Sequence, residues 1–133
     1  MTPARTLGDL NIYDESGGRV TQAGHWWLWV LTSAPCAQEC EQALHQLRQL
    51  HILLNRDAGR VRRALVLDGT LAAHGLRKRY PELTILTGGT DGLAAGVYVV
   101  DPLGNLVLWY SLADAGEPVL DDLKRLLKVS QIG

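Results

Sequence analysis

Sulfur is scarce in this sequence: 133 residues include one methionine and two cysteines, Cys36 and Cys40. Two cysteines do not fix a redox compartment, since a cytosolic dithiol and an extracytoplasmic disulfide both fit. Net charge is nearly absent as well. At −1, with a pI near 6.4, the chain has no global basic field to hold nucleic acid. Long apolar runs are missing: the longest, Trp26 to Leu31, is about a third of the roughly 20 residues a bilayer span needs. The opening "MTPARTLGDL" has no apolar core of a signal peptide. There is no internal repeat, low-complexity tract, Walker loop or dinucleotide fingerprint. "TGGTDG" is too loose for a phosphate cradle.

What is present is an ordinary globular balance, 47% apolar and 20% charged, at a length suited to one core. "LNIYDESGGRVT" signals a hairpin turning at Gly17-Gly18, between Ile12-Tyr13 and Val20. "WWLWVL" predicts a buried strand, bounded by Gly24 and "TSAP". From Cys36 the period changes. Cys36, Cys40, Ala43, Leu47, Leu50 and Leu54 follow a helical stripe that "NRDAG" ends. "VRRALVLDG" predicts a second strand over 61–67, and "TLAAHGLRKRY" a short helix stopped before Pro81. Residues 83–86 make a brief extended piece, and "TGGTDGLAAG" reads as a flexible loop. "VYVV" and "LVLWY" form a hairpin through "DPLGN". A last helix starts near Pro118, with Leu120, Leu123 and Leu127 as its buried stripe. The arginines at 56, 60, 62 and 63, and the cluster Arg77, Lys78 and Arg79, read as solvated ends of elements.

This order gives a strand–helix–strand unit with a right-handed parallel crossover, a linking helix, then strand–strand–helix. Cys36 falls where the first strand hands over to the helix, a corner at which ligand sites of such sheets collect. Free N–H groups and the helix dipole favour a thiolate there. Cys40 lies one turn on, with its Cα about 6 Å away, inside disulfide range. The pair can form a disulfide, stay a dithiol, or offer two thiolates to a soft metal. Two inert core cysteines are the bland alternative. Glu39 and Glu41 work against the thiolate, so a mildly reducing pair is expected.

The order of elements resembles the thioredoxin-like fold: an α/β domain with a mixed central sheet flanked by helices and an N-terminal β-hairpin. It divides the chain into a tail, 1–8, and one domain, 9–133. More specifically, "GHWWLWVLTSAPCAQEC" is similar to the Gly-x-Trp, strand, Cys-x-x-x-Cys segment of the Sco/SenC family. "VYVVDPLGNLVLWY" is similar to that family's strand–Asp-Pro-x-Gly–strand segment, and "LDDLKRLLKVSQIG" to the last helix of its small members. The resemblance covers roughly residues 9–133. It implies a thioredoxin-fold protein that helps assemble the copper centre of cytochrome c oxidase, with an oxidase subunit or its assembly factors as partner. It implies a place on the periplasmic side of the inner membrane, with an N-terminal anchor encoded upstream of residue 1. Cys36 and Cys40 then act as a catalytic dithiol and as ligands of copper(I). A general extracytoplasmic thiol–disulfide oxidoreductase and a non-catalytic binding module of the same fold are the alternatives.

The sequence departs from the family in two ways and from thioredoxin-type enzymes in a third. Sco proteins complete their copper site with a histidine shortly before the Tyr-x-x-Asp-Pro strand, whereas "TDGLAAGVYVVDP" has Leu93 and its neighbours there. Glu41 follows the second cysteine where the family usually has proline. The proline that precedes the third strand of many thioredoxin-type enzymes is replaced by Ala95-Gly96-Val97. Among other histidines, His25 sits at the far end of its strand, about 20 Å away. His45 faces elsewhere on the helix, and His51 is about 16 Å up its axis. His74, after the second strand, is the one candidate ligand, with a surface role as the simpler reading; Asp68 beside it reads as a turn residue. Trp27 and Trp29 should share one sheet face and Trp26 the other, all packed in the core beneath helices.

Overall fold

The structure is a computed structural model describing residues 5–6, 10–20, 24–32, 36–68, 76–89 and 92–130. Seven strands form one mixed sheet: β1 (Arg5–Thr6), β2 (Asn11–Tyr13), β3 (Trp26–Thr32), β4 (Val61–Asp68), β5 (Thr84–Gly89), β6 (Gly96–Val100) and β7 (Asn105–Tyr110). The helices are α1 (Gln38–Leu53), α2 (Leu76–Arg79) and α3 (Glu117–Val129). Short 3₁₀ turns at Asn55–Arg60 and Leu112–Asp114 follow α1 and β7. The strands lie in the order β1-β7-β6-β3-β4-β5-β2. β3, β4 and β5 run parallel, while β6 and β7 join as the expected antiparallel hairpin on the other side of β3. This is the mixed sheet flanked by helices that the order of elements implies.

Strand alternation sorts the core into two layers. On one face Trp26, Leu28 and Val30 of β3 meet Cys40, Ala43, Leu44, Leu47 and Leu50 of α1 and Val119, Leu120, Leu123 and Leu127 of α3. The stripes of both helices follow the expected periodicity, with Leu44 and Val119 as added members. On the other face Trp29, Leu31, Ala64, Val66, Tyr98 and Val100 are buried, and Trp27 packs against them half-buried. The tryptophans thus divide between the faces as the period of two requires. The cover differs from expectation. No helix among the described residues contributes to this second layer; Leu10, Ile12 and Val20 of the N-terminal segment and Leu93 do.

The expected N-terminal hairpin forms, with Val20 N donating to Ile12 O at 2.8 Å, and its first strand also joins the sheet. The Asp14 carboxylate accepts from Ser16 N, Ser16 Oγ and Gly18 N at 3.0, 2.6 and 2.9 Å. These bonds hold its pKa below the usual carboxylate value. Tyr13 and Arg19 form a bridge across the turn, and on its other edge β2 pairs antiparallel with β5. Arg5 and Thr6, within the expected tail, pair with β7. The extended piece at 83–86 is longer than expected, since Thr87, Gly88 and Gly89 belong to β5. Glycine there serves close approach: a Cβ on Gly88 would run into Asn11 O of the neighbouring strand. What reads in sequence as loop flexibility is, at Gly88, strand contact.

Tyr110, at the end of β7, donates to Asp122 of α3 at 2.8 Å. Burial, then this carboxylate, pushes its phenol well above its ordinary value. The folded state therefore holds a proton that the unfolded chain releases near pH 10, so stability falls as pH rises through that region. Tyr110→Phe should flatten this alkaline loss, as read by denaturant titration at successive pH values. At neutral pH, Gly88→Ala should lower the unfolding free energy by about 2 kcal/mol, because β2 must move off β5. A loss under about 0.5 kcal/mol in the same titration, the size of a surface change, would show that the β2–β5 contact is soft.

Candidate dithiol site

β3 ends at Thr32, and the chain reaches Cys36 just before α1. The helix begins later than its apolar stripe suggests. Ala37 is the N-cap, with extended backbone and no side-chain cap, so Cys36 stands outside the helix and Cys40 in its first turn. The first helical bond runs from Glu41 N to Ala37 O at 2.9 Å. The N–H groups of Gln38, Glu39 and Cys40 thus precede any intrahelical acceptor and face the cysteine corner. Cys36 and Cys40 are joined as a disulfide, with Cα atoms 5.1 Å apart. Cys40 is 3% exposed within the helix-side core, whereas Cys36 is half-buried and packs against its edge. The two sulfurs thus differ in access as a solvent-facing and an interior partner would.

The surrounding charge is more balanced than the sequence implies. Arg79 of α2 donates to Glu41 Oε1 at 2.6 Å, so one of the two carboxylates opposing a thiolate carries its own counter-ion. Arg79 thus pairs with the residue that follows Cys40 and is not merely a solvated helix end. Sequence spacing gives no hint of a contact between residues 38 positions apart, 79 − 41.

The segment before β6 also behaves differently from a loop free to approach the thiols. Gly96 pairs with Leu31, which brings the start of β6 to the same end of the sheet as Cys36. Yet Leu93 packs against the second core layer, on the face away from α1. Tyr98 Oη donates to Ala94 O at 2.7 Å, and Trp109 Nε1 to Ala95 O at 3.3 Å. A Cβ on Gly96 would collide with the Trp109 indole and Tyr110 O, so the ring lies directly over the backbone here. Residues 92–96 are anchored to the far face.

The histidines divide similarly. His45 is exposed on α1, beside Gln38, Glu41, Gln42 and Gln46 along a surface groove. His51 bonds to Ala58 O and Arg63. His74 lies outside the described residues, as does the Asp68 side chain. Among the described residues no three His, Cys, Asp or Glu side chains are grouped to hold a metal ion.

Residues 26–130 match the family described as "Transmembrane-like, thioredoxin-like, C-terminal domain". The chain belongs to this family. No curated protein matches it. Among solved structures it resembles copper-bound ScoI of Bradyrhizobium japonicum, at 20% identity, covering 87% of this chain and 96% of that one, with a TM-score of 0.58. It also resembles BsSco, a member of the Sco family of cytochrome c oxidase assembly proteins with a disulfide switch, at 15% identity, 98% and 99% coverage and a TM-score of 0.59. Peroxiredoxin Q of Xanthomonas campestris is similar at 16% identity, 95% and 96% coverage and a TM-score of 0.59. At such identities the likeness shows the fold, which is thioredoxin-like and Sco-like. No helix among the described residues is long and apolar enough to cross a membrane.

The Arg79–Glu41 pair should tune the reduced site modestly, since Arg79 is 57% exposed and water screens it. Arg79→Ala should slow Cys36 alkylation of the reduced domain at fixed neutral pH, by less than about twofold, because Glu41 is left without its counter-ion. An unchanged rate would place the ion pair out of electrostatic reach of the thiol.

Proposed function

We propose that this domain is a Sco-like dithiol protein in cytochrome c oxidase assembly, working on the periplasmic side of the inner membrane through Cys36 and Cys40. The observation that carries the redox part is the Cys36–Cys40 disulfide at the amino end of α1, with one sulfur accessible and one interior. The oxidase context is supported by the Cys-x-x-x-Cys and Asp-Pro-x-Gly segments and by the fold shared with ScoI and BsSco. In the reduced domain the Cys36 thiolate attacks a partner disulfide, forming a mixed disulfide and releasing one partner thiolate. Cys40 then loses its proton and attacks the Cys36 sulfur, which expels the second partner thiolate. Two electrons pass to the partner, and the domain ends as the disulfide seen here. Free N–H groups of the first turn stabilise the Cys36 thiolate in both the attacking and the leaving role.

Copper fits this donor set only in part. Two thiolates suffice for weak Cu(I) binding after reduction, because that soft ion accepts few ligands. Cu(II) prefers added nitrogen or oxygen donors, and Leu93, one of the residues standing where Sco proteins place their histidine, is packed on the opposite face. Thiol exchange is therefore the activity the site supports best. A general thiol–disulfide oxidoreductase is the second reading, favoured by the same disulfide and by that ligand deficit.

In cells carrying the oxidase, Cys40→Ser should trap a mixed disulfide through Cys36 with an oxidase subunit or assembly factor, identified by mass spectrometry. Undiminished oxidase assembly by the Cys36→Ser/Cys40→Ser double variant would point instead to a non-catalytic binding module. The equilibrium potential should be more reducing than the roughly −120 mV of a strongly oxidising dithiol, since Glu39 has no such counter-ion among the described residues. Titration of the reduced domain with Cu(II) should give no stable thiolate-to-copper charge-transfer band. A stoichiometric band lost in His74→Ala would make His74 a ligand and overturn that expectation.

A further inference from the structure

Arg62 and Arg63 look alike in sequence, yet strand alternation separates them: Arg62 is exposed, while Arg63 is 5% exposed on the helix-facing side of β4 with Val61 and Leu65. Its Nε donates to His51 Nδ1 at 3.1 Å. Because a guanidinium only donates, His51 accepts at Nδ1, carries its proton on Nε2 and donates that to Ala58 O at 2.8 Å. An imidazole supplies no negative charge, so His51 does not balance Arg63. The nearest carboxylate, Glu82, stands at 3.6 Å on a side chain 79% exposed, beyond hydrogen-bond range. The terminal nitrogens of Arg63 therefore have no hydrogen-bond acceptor among the described residues.

No fully buried side-chain nitrogen or oxygen among the described residues lacks a partner, so these nitrogens open onto space. That space is a cavity of about 240 Å³ lined by Arg48, His51, Arg63, Tyr80 and Glu82 with Ile52 and Pro81. A buried guanidinium gains most from a bidentate oxygen acceptor. The volume lies below that of ordinary cofactor pockets and suits a small ion. Arg48 adds a second positive charge; burial first, and then Arg48 after the opposing pull of Glu82, holds the Arg63 pKa below its ordinary value. Glu82, solvated along most of its length and not hydrogen-bonded to Arg63, is displaceable.

We propose that this cavity binds a small oxyanion, with the Arg63 terminal nitrogens as fork, Arg48 as second cation and Glu82 as the internal carboxylate the ion displaces. The site lies at the far end of α1 from the cysteines, about 16 Å along the helix from Cys40 to His51. It stands independently of the dithiol reading.

The test is an NMR titration of the oxidised domain with inorganic phosphate and, separately, acetate, at constant ionic strength held with chloride. The reporter is the Arg63 Nε–H signal, which its bond to His51 shields from exchange. Saturable shifts are expected with phosphate, acetate or both, and the stronger of the two names the oxyanion class. Arg48→Ala should weaken binding about fivefold and Glu82→Gln should strengthen it by a similar factor, the scale of one screened charge contact. Both substitutions lie outside the core, so folding is checked by an unchanged amide spectrum elsewhere. Saturation by neither anion in wild type and Glu82→Gln would overturn the proposal, leaving Arg63 a structural partner of His51. So would binding indifferent to both substitutions, which would place the ion elsewhere on the surface.

Discussion

Everything in this domain is aligned by β3. All seven of its residues pair in parallel with β4, Trp27 to Leu31 also pair antiparallel with β6, and six of the seven are buried. A strand covered on both faces tolerates no slip, because a shift of one residue would exchange Trp26, Leu28 and Val30 with Trp27, Trp29 and Leu31. With the register pinned, the end of β3 is pinned, and so is the point from which the chain reaches Cys36. The same register sets Gly96 beside Leu31 and thereby decides where the segment before β6 lies. The cysteine corner is thus positioned by sheet packing more than by contacts of its own.

The two layers of the core divide the work. α1 and α3 seal the face that carries Cys40, so the interior sulfur is held by the largest contiguous apolar group in the domain. The other face is closed by residues far away in the chain, Leu10, Ile12 and Val20, and by Leu93. Committing Leu93 to that layer removes the segment 92–96 from the cysteines. Residue 93 is thus fixed by packing: an imidazole there would replace a core contact.

Periodicity reveals most of the frame. The strands at 26–31, 61–67 and 97–110, both long helices and the division of the tryptophans follow from apolar spacing alone, because each of these elements has at least one clearly buried face. The signal fails where burial is created by distant partners. Thr87, Gly88 and Gly89 read as loop because the strand that pairs with them, β2, comes from the far N-terminal part of the chain. The helix start slips by two residues because Cys36 continues the apolar stripe without being in the helix. Arg63 is hidden by its exposed neighbours in an arginine cluster, although a strict period of two through Val61 and Leu65 places it inward. Arg79 has no local signal at all, because its pairing with Glu41 exists only in three dimensions.

Cys36 lies outside the helix, and this sets the mechanical scale of its chemistry. The disulfide closes a loop of only five residues, 36 to 40, so by chain entropy it stabilises the fold by about 2 kcal/mol, less than a long-range staple. α1 keeps its first hydrogen bond, Glu41 N to Ala37 O, without any help from sulfur. Opening the bond therefore loosens a hinge-sized piece of backbone and leaves the architecture standing. A macromolecule that distinguishes the oxidised from the reduced domain must touch that corner itself, for so short a loop carries no news of its state to the rest of the surface.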